Sequence, residues 1–109
     1  MKLYYSGNSP YARRPRMAIR QFDLMGMVEE VERDSLGGTG NPLLRFGPGG
    51  KVPALLTDNG VYLCETLLIL NYLDEASGGK LYPKETAARE AAFELEGLAG
   101  LLMESQFYR

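Results

Sequence analysis

The 109-residue sequence predicts an α/β domain with a four-stranded mixed sheet, followed by one long α-helix. Three observations predict this class. A short strand, a helix and a second strand give a β-α-β unit. A hairpin of two short strands and another helix follow, so that the order continues β-β-α. Residues 84–107 are rich in Ala, Glu and Leu and have the apolar spacing of a long helix.

The β-α-β unit begins at residues 2–6, where a Leu-Tyr-Tyr run favours a strand and a Gly-Asn-Ser-Pro turn ends it. Ser9 and Pro10 are typical of an N-cap and of the first helical position. Apolar residues at helical spacing then predict a helix over residues 10–24. We expect Pro15 to kink this helix, because proline lacks the N–H that a helix interior uses.

Charged residues and turn residues predict the remaining strands. Residues 28–33 are charged and weakly alternating, which predicts an edge strand. An Asn-Gly pair between the apolar runs 54–57 and 61–63 predicts a β-hairpin. The second helix is predicted over residues 66–76, where an apolar stripe ends at two glycines. In the glycine-rich stretch before the hairpin, residues 41–46 could form one helical turn.

The composition excludes several classes of site. There is no histidine, so neither a Ser-His-Asp nor a Cys-His catalytic group can form, and no histidine-containing zinc site is expected. The single cysteine, Cys64, cannot close an intrachain disulfide and is predicted to be a small buried side chain. A net charge of -2 does not indicate nucleic-acid binding. With no signal peptide or membrane span in the sequence, we expect a cytoplasmic protein.

Three motifs lie at the ends of the predicted elements, in the order Ser9-Pro10-Tyr11-Ala12, Gly50-Lys51-Val52-Pro53-Ala54-Leu55 and Glu65-Thr66. Together they resemble the glutathione transferase family. The resemblance covers residues 1–83, and the last helix is similar to the start of the family's second, all-helical domain. It implies a thioredoxin-like, glutathione-binding domain at residues 1–80. Residues 81–109 would then be a linker and the first helix of a truncated C-terminal domain.

The resemblance also implies a function, a ligand and partners. The family binds glutathione, stabilises its thiolate and conjugates it to an electrophilic small molecule in detoxification, and its members are typically homodimers. In the family, the counterpart of Pro53 has a cis peptide bond, which presents the backbone of Val52 to the cysteinyl group of glutathione. Glu65 would bind the ammonium of the γ-glutamyl group. Thr66 and the helix N-terminus would bind its carboxylate, and Lys51 could reach the glycyl carboxylate.

Ser9 is the candidate for activating the glutathione thiol. A thiol has an ordinary pKa of about 8.5, and lowering that pKa by about two units requires about 2.7 kcal/mol in favour of the anion. A charge-assisted hydrogen bond contributes about 1.5–3 kcal/mol, and a helix N-terminus adds about 0.3–2 kcal/mol. A hydroxyl at a helix start is therefore sufficient. Tyr5, near the end of the first strand, is the alternative activator, and its own alternative is a core aromatic.

Other interpretations of these residues are purely structural. Ser9 and Glu65-Thr66 could be ordinary helix caps, Pro53 could simply begin an edge strand, and Lys51 could be solvated. A glutathione-dependent thiol reductase is disfavoured, because Ser9 and Ala12 stand where glutaredoxin-like proteins have cysteines. A non-catalytic binding or assembly module is the alternative function. The apolar face at residues 88–103 predicts association with another surface.

Overall fold

The computed structural model describes residues 1–32 and 51–107. In this part of the chain, four strands and three helices follow one another in the predicted order. Their bounds are β1 Lys2–Tyr5, α1 Pro10–Gln21, β2 Glu29–Glu32, β3 Ala54–Leu56, β4 Tyr62–Cys64, α2 Thr66–Ala76 and α3 Thr86–Phe107. The predicted helical turn at residues 41–46 lies outside the described residues.

The strands form one sheet in the order β2-β1-β3-β4. β1 pairs parallel with β2 and antiparallel with β3, and β3 pairs antiparallel with β4. The sheet is therefore mixed, as predicted. β2 lies at one edge and exposes Glu29 and Glu32, which confirms a charged edge strand within residues 28–32.

The core joins the two central strands to both inner helices. Leu3 and Leu55 are register partners on β1 and β3, and both are fully buried. They belong to one cluster with Ile19 of α1 and with Ile69 and Leu73 of α2. Since all five side chains have no exposed surface, α1 and α2 are held against the sheet mainly by apolar burial.

The second helix begins and ends as predicted, whereas α1 is shorter. α1 ends at Gln21 rather than near residue 24, because Asp23 adopts a left-handed φ of 58° that a helix cannot continue through. Pro15 lies inside α1 and is fully buried, and the helix continues past it. After α2, Gly78 and Gly79 have φ values of 80° and 86°, which turn the chain out of the helix.

The hairpin between β3 and β4 turns at the Asn-Gly pair, as predicted. The backbone N–H of Thr57 donates to the carbonyl of Val61 at 2.9 Å, and the Thr57 hydroxyl accepts from the Val61 N–H at 3.0 Å. Gly60 has a φ of 81°, a conformation that favours glycine.

The prediction that Cys64 is buried is wrong. Its side chain is exposed. Cys64 is the last residue of β4, and β4 is an edge strand that α2 follows after one residue. The apolar neighbours in the sequence therefore do not enclose it in the fold.

Helix α3 runs over Thr86–Phe107 and keeps much of its apolar surface in solvent. Its exposed leucines have 60–70% of their surface accessible: Leu95, Leu98, Leu101 and Leu102. Much of the apolar face that the sequence predicts at residues 88–103 is therefore exposed in the described structure. None of the helices described here is both long and apolar enough to span a membrane.

Candidate functional site

The three sequence motifs converge at one edge of the sheet. Tyr4 of β1 pairs with Ala54 of β3, which also pairs with Cys64 of β4. The end of β1, the start of β3 and the end of β4 therefore lie side by side. From this edge the chain enters α1 at Ser9 and α2 at Glu65, so both helices begin beside the start of β3.

The start of α1 is capped by a serine hydroxyl. Ser9 has an extended backbone with φ -85° and ψ 119°, and its Oγ accepts a hydrogen bond from the Ala12 N–H at 3.1 Å. A hydroxyl has two acceptor lone pairs and one proton. Accepting from Ala12 therefore leaves the O–H of the half-buried Ser9 able to donate to an anion.

The start of α2 lacks such a cap. Glu65 occupies the N-cap position, is exposed and makes no side-chain hydrogen bond to the helix end. The first helical bond described here runs from the Ile69 N–H to the Glu65 carbonyl at 3.1 Å. The backbone N–H groups of the three preceding residues point out of the helix end, where the partial positive charge of the helix suits a carboxylate.

Glu65 also has a strained backbone. Its φ of 75° lies in the region that favours glycine, and its ψ is 121°. Conformations of this kind cost about 1–3 kcal/mol and cluster at ligand sites and active sites. The strain at Glu65 therefore favours a binding role for the start of α2.

Thr66 connects the two helix starts. Its side chain is buried, and its hydroxyl donates to the Tyr11 carbonyl in the first turn of α1 at 3.3 Å. Because the single hydroxyl proton is used in this bond, the hydroxyl offers only lone pairs to other groups. A carboxylate at this helix start would thus be bound by backbone N–H groups rather than by the Thr66 hydroxyl.

A cleft of about 230 Å³ lies between the starts of α1 and α2 and the middle of α3. Glu65 and Thr66 line it from α2, and Arg14 lines it from α1. On the α3 side, Glu96 forms an ion pair with Arg14 at 3.0 Å. Because Arg14 is already paired, the charges that remain for a ligand are the carboxylates of Glu65 and Glu104, which suit an ammonium group.

The peptide bond between Val52 and Pro53 is cis, which agrees with the expectation from the family resemblance. Pro53 is buried and Val52 is half-buried. Since the ladder of β3 begins at Ala54, the backbone of Val52 precedes the paired part of the strand. Lys51 is exposed beside it.

Comparison with known proteins agrees with this arrangement. The family model described as the glutathione S-transferase N-terminal domain matches residues 8–76 of the chain. The chain belongs to the glutathione S-transferase family. The matched residues include Ser9, the cis Val52-Pro53 bond and the start of α2 at Thr66.

Two curated relatives are more than twice as long as the part of them that the chain matches. A glutathione S-transferase from Pseudomonas putida is 37% identical over 109 residues, covering 99% of this chain and 44% of the relative. A maleylacetoacetate isomerase from Pseudomonas aeruginosa is 34% identical over 77 residues, covering 69% of this chain and 36% of that protein. The chain thus spans less than half the length of these relatives.

Two crystal structures of the family confirm the thioredoxin-like fold. A glutathione transferase family member from Pseudomonas fluorescens Pf-5, with bound glutathione, superposes with a TM-score of 0.83 at 29% identity and covers 98% of this chain and 53% of its own. A glutathione S-transferase from Methylobacterium radiotolerans, in complex with glutathione sulfonate, gives 0.71 at 30% identity, covering 89% and 45%.

The ring of Tyr5, the alternative candidate for thiol activation, is contacted by a side chain from the middle of α1. Its half-buried ring is covered by the Arg16 guanidinium, 3.8 Å from the ring centre. Arg16 and Arg20 both pair with Glu30 of β2 at 2.8 Å. Burial opposes ionisation of Glu30, but the hydrogen bonds from Arg20 and Arg16 outweigh it and hold the pKa of Glu30 below its ordinary value.

The sequence did not predict a polar cluster that joins α3 to α1 and α2. The Tyr82 hydroxyl donates to the Glu96 carboxylate, with both oxygens at 2.9 Å, and Arg14 binds the same carboxylate. Burial and this hydrogen bond raise the pKa of Tyr82. Asp74, buried on α2, accepts from the Tyr82 backbone N–H at 3.0 Å. An aspartate within the apolar stripe of α2 was the available signal, because a buried carboxylate requires partners.

Proposed function

We propose that this chain binds glutathione at the sheet edge where the three motifs meet, and that the bound thiolate is conjugated to an electrophilic small molecule. The observation that carries the proposal is the convergence of the two helix starts beside the start of β3, with Thr66 bonded to Tyr11 between them. A capped start with an available hydroxyl and an uncapped start with available N–H groups suit a thiolate and a carboxylate respectively.

Each end of glutathione has matching groups. The γ-glutamyl carboxylate would bind the backbone N–H groups at the start of α2, and its ammonium would face Glu65 and the lone pairs of Thr66. The backbone of Val52 would pair with the cysteinyl group, and Lys51 would reach the glycyl carboxylate. The crystallised relatives with bound glutathione or glutathione sulfonate support this choice of ligand.

Ser9 would stabilise the thiolate in this arrangement. Its oxygen caps α1 through Ala12, and its proton is the donor that an anionic sulfur requires. The amide dipoles of the same helix start add to the stabilisation. Tyr5 is the weaker candidate, since its ring is stacked under Arg16.

We also propose a division of the chain into two parts and a partner for α3. Residues 1–80 would be the glutathione-binding domain, and residues 81–109 the linker and first helix of an all-helical domain. The exposed leucines of α3 support association, which in this family would be a homodimer. A role in detoxification in the cytoplasm, where glutathione is the main small thiol, completes the proposal.

Calorimetric titration of glutathione into the chain tests the function. We expect saturable binding with a dissociation constant in the millimolar range or below. The dipeptide cysteinylglycine, which lacks the γ-glutamyl group, is the matched control ligand and should bind more weakly. Absence of binding at millimolar glutathione would contradict the proposal.

A non-catalytic assembly module is the second candidate function, and the exposed leucines on α3 favour it. An assay of the bound thiolate distinguishes the two functions. The catalytic proposal requires the absorbance of bound thiolate near neutral pH, together with loss of a chromogenic electrophile such as 1-chloro-2,4-dinitrobenzene. Binding of glutathione with neither signal would favour the assembly module.

A further inference from the structure

Pro15 changes the hydrogen bonding of the first half of α1. It lies inside the helix and is fully buried. In an α-helix, residue 15 would donate its N–H to the carbonyl of residue 11, but proline has no N–H, and its ring also pushes that carbonyl outward. The Tyr11 carbonyl therefore lacks the donor that the helix would ordinarily supply from position 15.

The donor that meets this carbonyl comes from the other helix. The Thr66 hydroxyl donates to it at 3.3 Å. This distance is longer than the usual 2.5–3.0 Å of an O–H···O bond, so we expect a weak bond. Its position matters more than its strength, because Thr66 is the first residue of α2 and lines the cleft.

We propose that Pro15 is a positioning residue for the glutathione site. By removing a helical donor, it removes a competitor of the Thr66 hydroxyl for the Tyr11 carbonyl, and the bond between the two orients the hydroxyl with its lone pairs towards the ligand. The inference rests on the proposed function. It assigns a role to a residue that makes no contact with the ligand in the proposed arrangement.

The consequence is a division of the γ-glutamyl contacts. With its proton committed to Tyr11, the Thr66 hydroxyl can accept from the ligand's ammonium but cannot donate to the carboxylate. The carboxylate is then bound by backbone N–H groups of α2. Without Pro15, a helical N–H would share the Tyr11 carbonyl with the Thr66 hydroxyl, and the orientation of that hydroxyl would be less firmly held.

A double-mutant cycle tests this role. The variants are Pro15→Ala, Thr66→Val and the double variant, with glutathione affinity measured by calorimetry. We expect each single substitution to weaken binding about 2- to 5-fold, the effect of one weak hydrogen bond. The double variant should bind no worse than Thr66→Val alone, because both substitutions disrupt the same contact. Thr66→Ser keeps the hydroxyl. When Pro15→Ala is added to Thr66→Ser, it should therefore weaken glutathione binding as it does in the native chain.

Controls separate positioning from damage to the fold. Pro83→Ala, an exposed proline in the linker, should bind glutathione like the native chain. If Pro15→Ala does not fold, Pro15→Val also restores the N–H and leaves a smaller cavity. The pKa of the bound thiol should stay unchanged in the Pro15 variants, since Ser9 keeps its bond to Ala12.

Two results would overturn the inference in distinguishable ways. If the native chain binds glutathione and the effects of the two substitutions add, or Pro15→Ala binds like the native chain, the inference alone fails. If the native chain binds no glutathione, the proposed function fails and the inference fails with it.

Discussion

The two helices that begin at the candidate site begin in different ways. α1 starts with Ser9, whose hydroxyl accepts from Ala12 at 3.1 Å, and with a proline at its first position. α2 starts with Glu65, which makes no capping bond and holds a φ of 75°. Both starts lie at the same edge of the same sheet, so their difference does not come from their position in the fold.

The difference shows which start stabilises the fold and which start is available to a ligand. A serine cap contributes about 1 kcal/mol to folding stability. A non-glycine residue in the conformation of Glu65 costs about 1–3 kcal/mol. The start of α1 thus stabilises the domain and keeps one proton for an anion, whereas the start of α2 costs stability and leaves its N–H groups available.

Removing the hydroxyl at the capped start should have the largest effect. In Ser9→Ala, the pKa of bound glutathione should rise by about 1–2 units, because a hydrogen bond to a charged group contributes about 1.5–3 kcal/mol. A higher thiol pKa means less thiolate at neutral pH, so conjugation should slow by about 3- to 25-fold. Thiolate absorbance against pH measures the shift. The chain should also lose about 1 kcal/mol of stability from the missing cap.

Two variants sharpen the test of Ser9. Ser9→Thr keeps a hydroxyl at the cap and should retain most of the low thiol pKa. Tyr5→Phe should leave the titration unchanged, since the Tyr5 ring is covered by Arg16. A native titration curve in Ser9→Ala, with a shifted curve in Tyr5→Phe, would transfer the thiol-activating role to Tyr5.

Relieving the backbone strain at the start of α2 should have a smaller effect than Ser9→Ala. It should raise the stability of the domain, whereas Ser9→Ala lowers it. In Glu65→Gly, the positive φ no longer costs energy, and this gain exceeds the 0.5–1 kcal/mol or so of extra entropy that glycine loses on folding. We expect a net increase in the free energy of unfolding of about 1 kcal/mol, measured by urea denaturation. Glutathione affinity should fall, because the carboxylate that is proposed to bind the ammonium is absent.

Glu65→Gln is the matched control, because it keeps the backbone conformation and removes only the charge. Its stability should remain native, and its glutathione affinity should fall by at most about 5-fold, as expected for an exposed ion pair. If Glu65→Gly were no more stable than Glu65→Gln, the backbone at residue 65 would not be strained, and the two helix starts would be energetically alike.

Local signals in the sequence were enough to predict most of the architecture. Ser9 followed by Pro10 predicted the start of α1, and the apolar stripe and glycines predicted both ends of α2. The Asn-Gly pair predicted the hairpin. Each of these signals acts over a few residues, so neighbouring side chains and backbone decide the outcome.

Features that depend on distant residues could not be predicted. The bond from Thr66 to Tyr11 joins residues 55 positions apart, and it depends on how α1 and α2 pack. The exposure of Cys64 depends on β4 being an edge strand, although its sequence neighbours are apolar. The contact of Tyr82 with Glu96 required the position of α3. Spacing along the chain contains none of this information.

The two helix starts also differ in their contacts with α3. This difference gives the smallest expected effect on glutathione binding. Arg14 on α1 is bound by Glu96, which also accepts from Tyr82. In Tyr82→Phe, Glu96 keeps Arg14 but loses one donor. We expect the free energy of unfolding at neutral pH to fall by about 1.5 kcal/mol, the low end for a hydrogen bond to a charged group. The same ion pair keeps α1 beside the cleft, so glutathione affinity should change little.

The pH dependence of this variant shows whether the folded chain holds the proton of the Tyr82 phenol. Burial and the bond to Glu96 raise the pKa of Tyr82 above its ordinary value of 10.0, so the folded chain holds this proton at a pH where the unfolded chain releases it. The stability contributed by Tyr82 is therefore complete below about pH 10 and decreases as the pH rises further. Denaturation curves should show the native chain losing stability more steeply than Tyr82→Phe above that pH. Parallel losses in the two proteins would mean that neither burial nor the bond to Glu96 holds the Tyr82 proton in the folded chain.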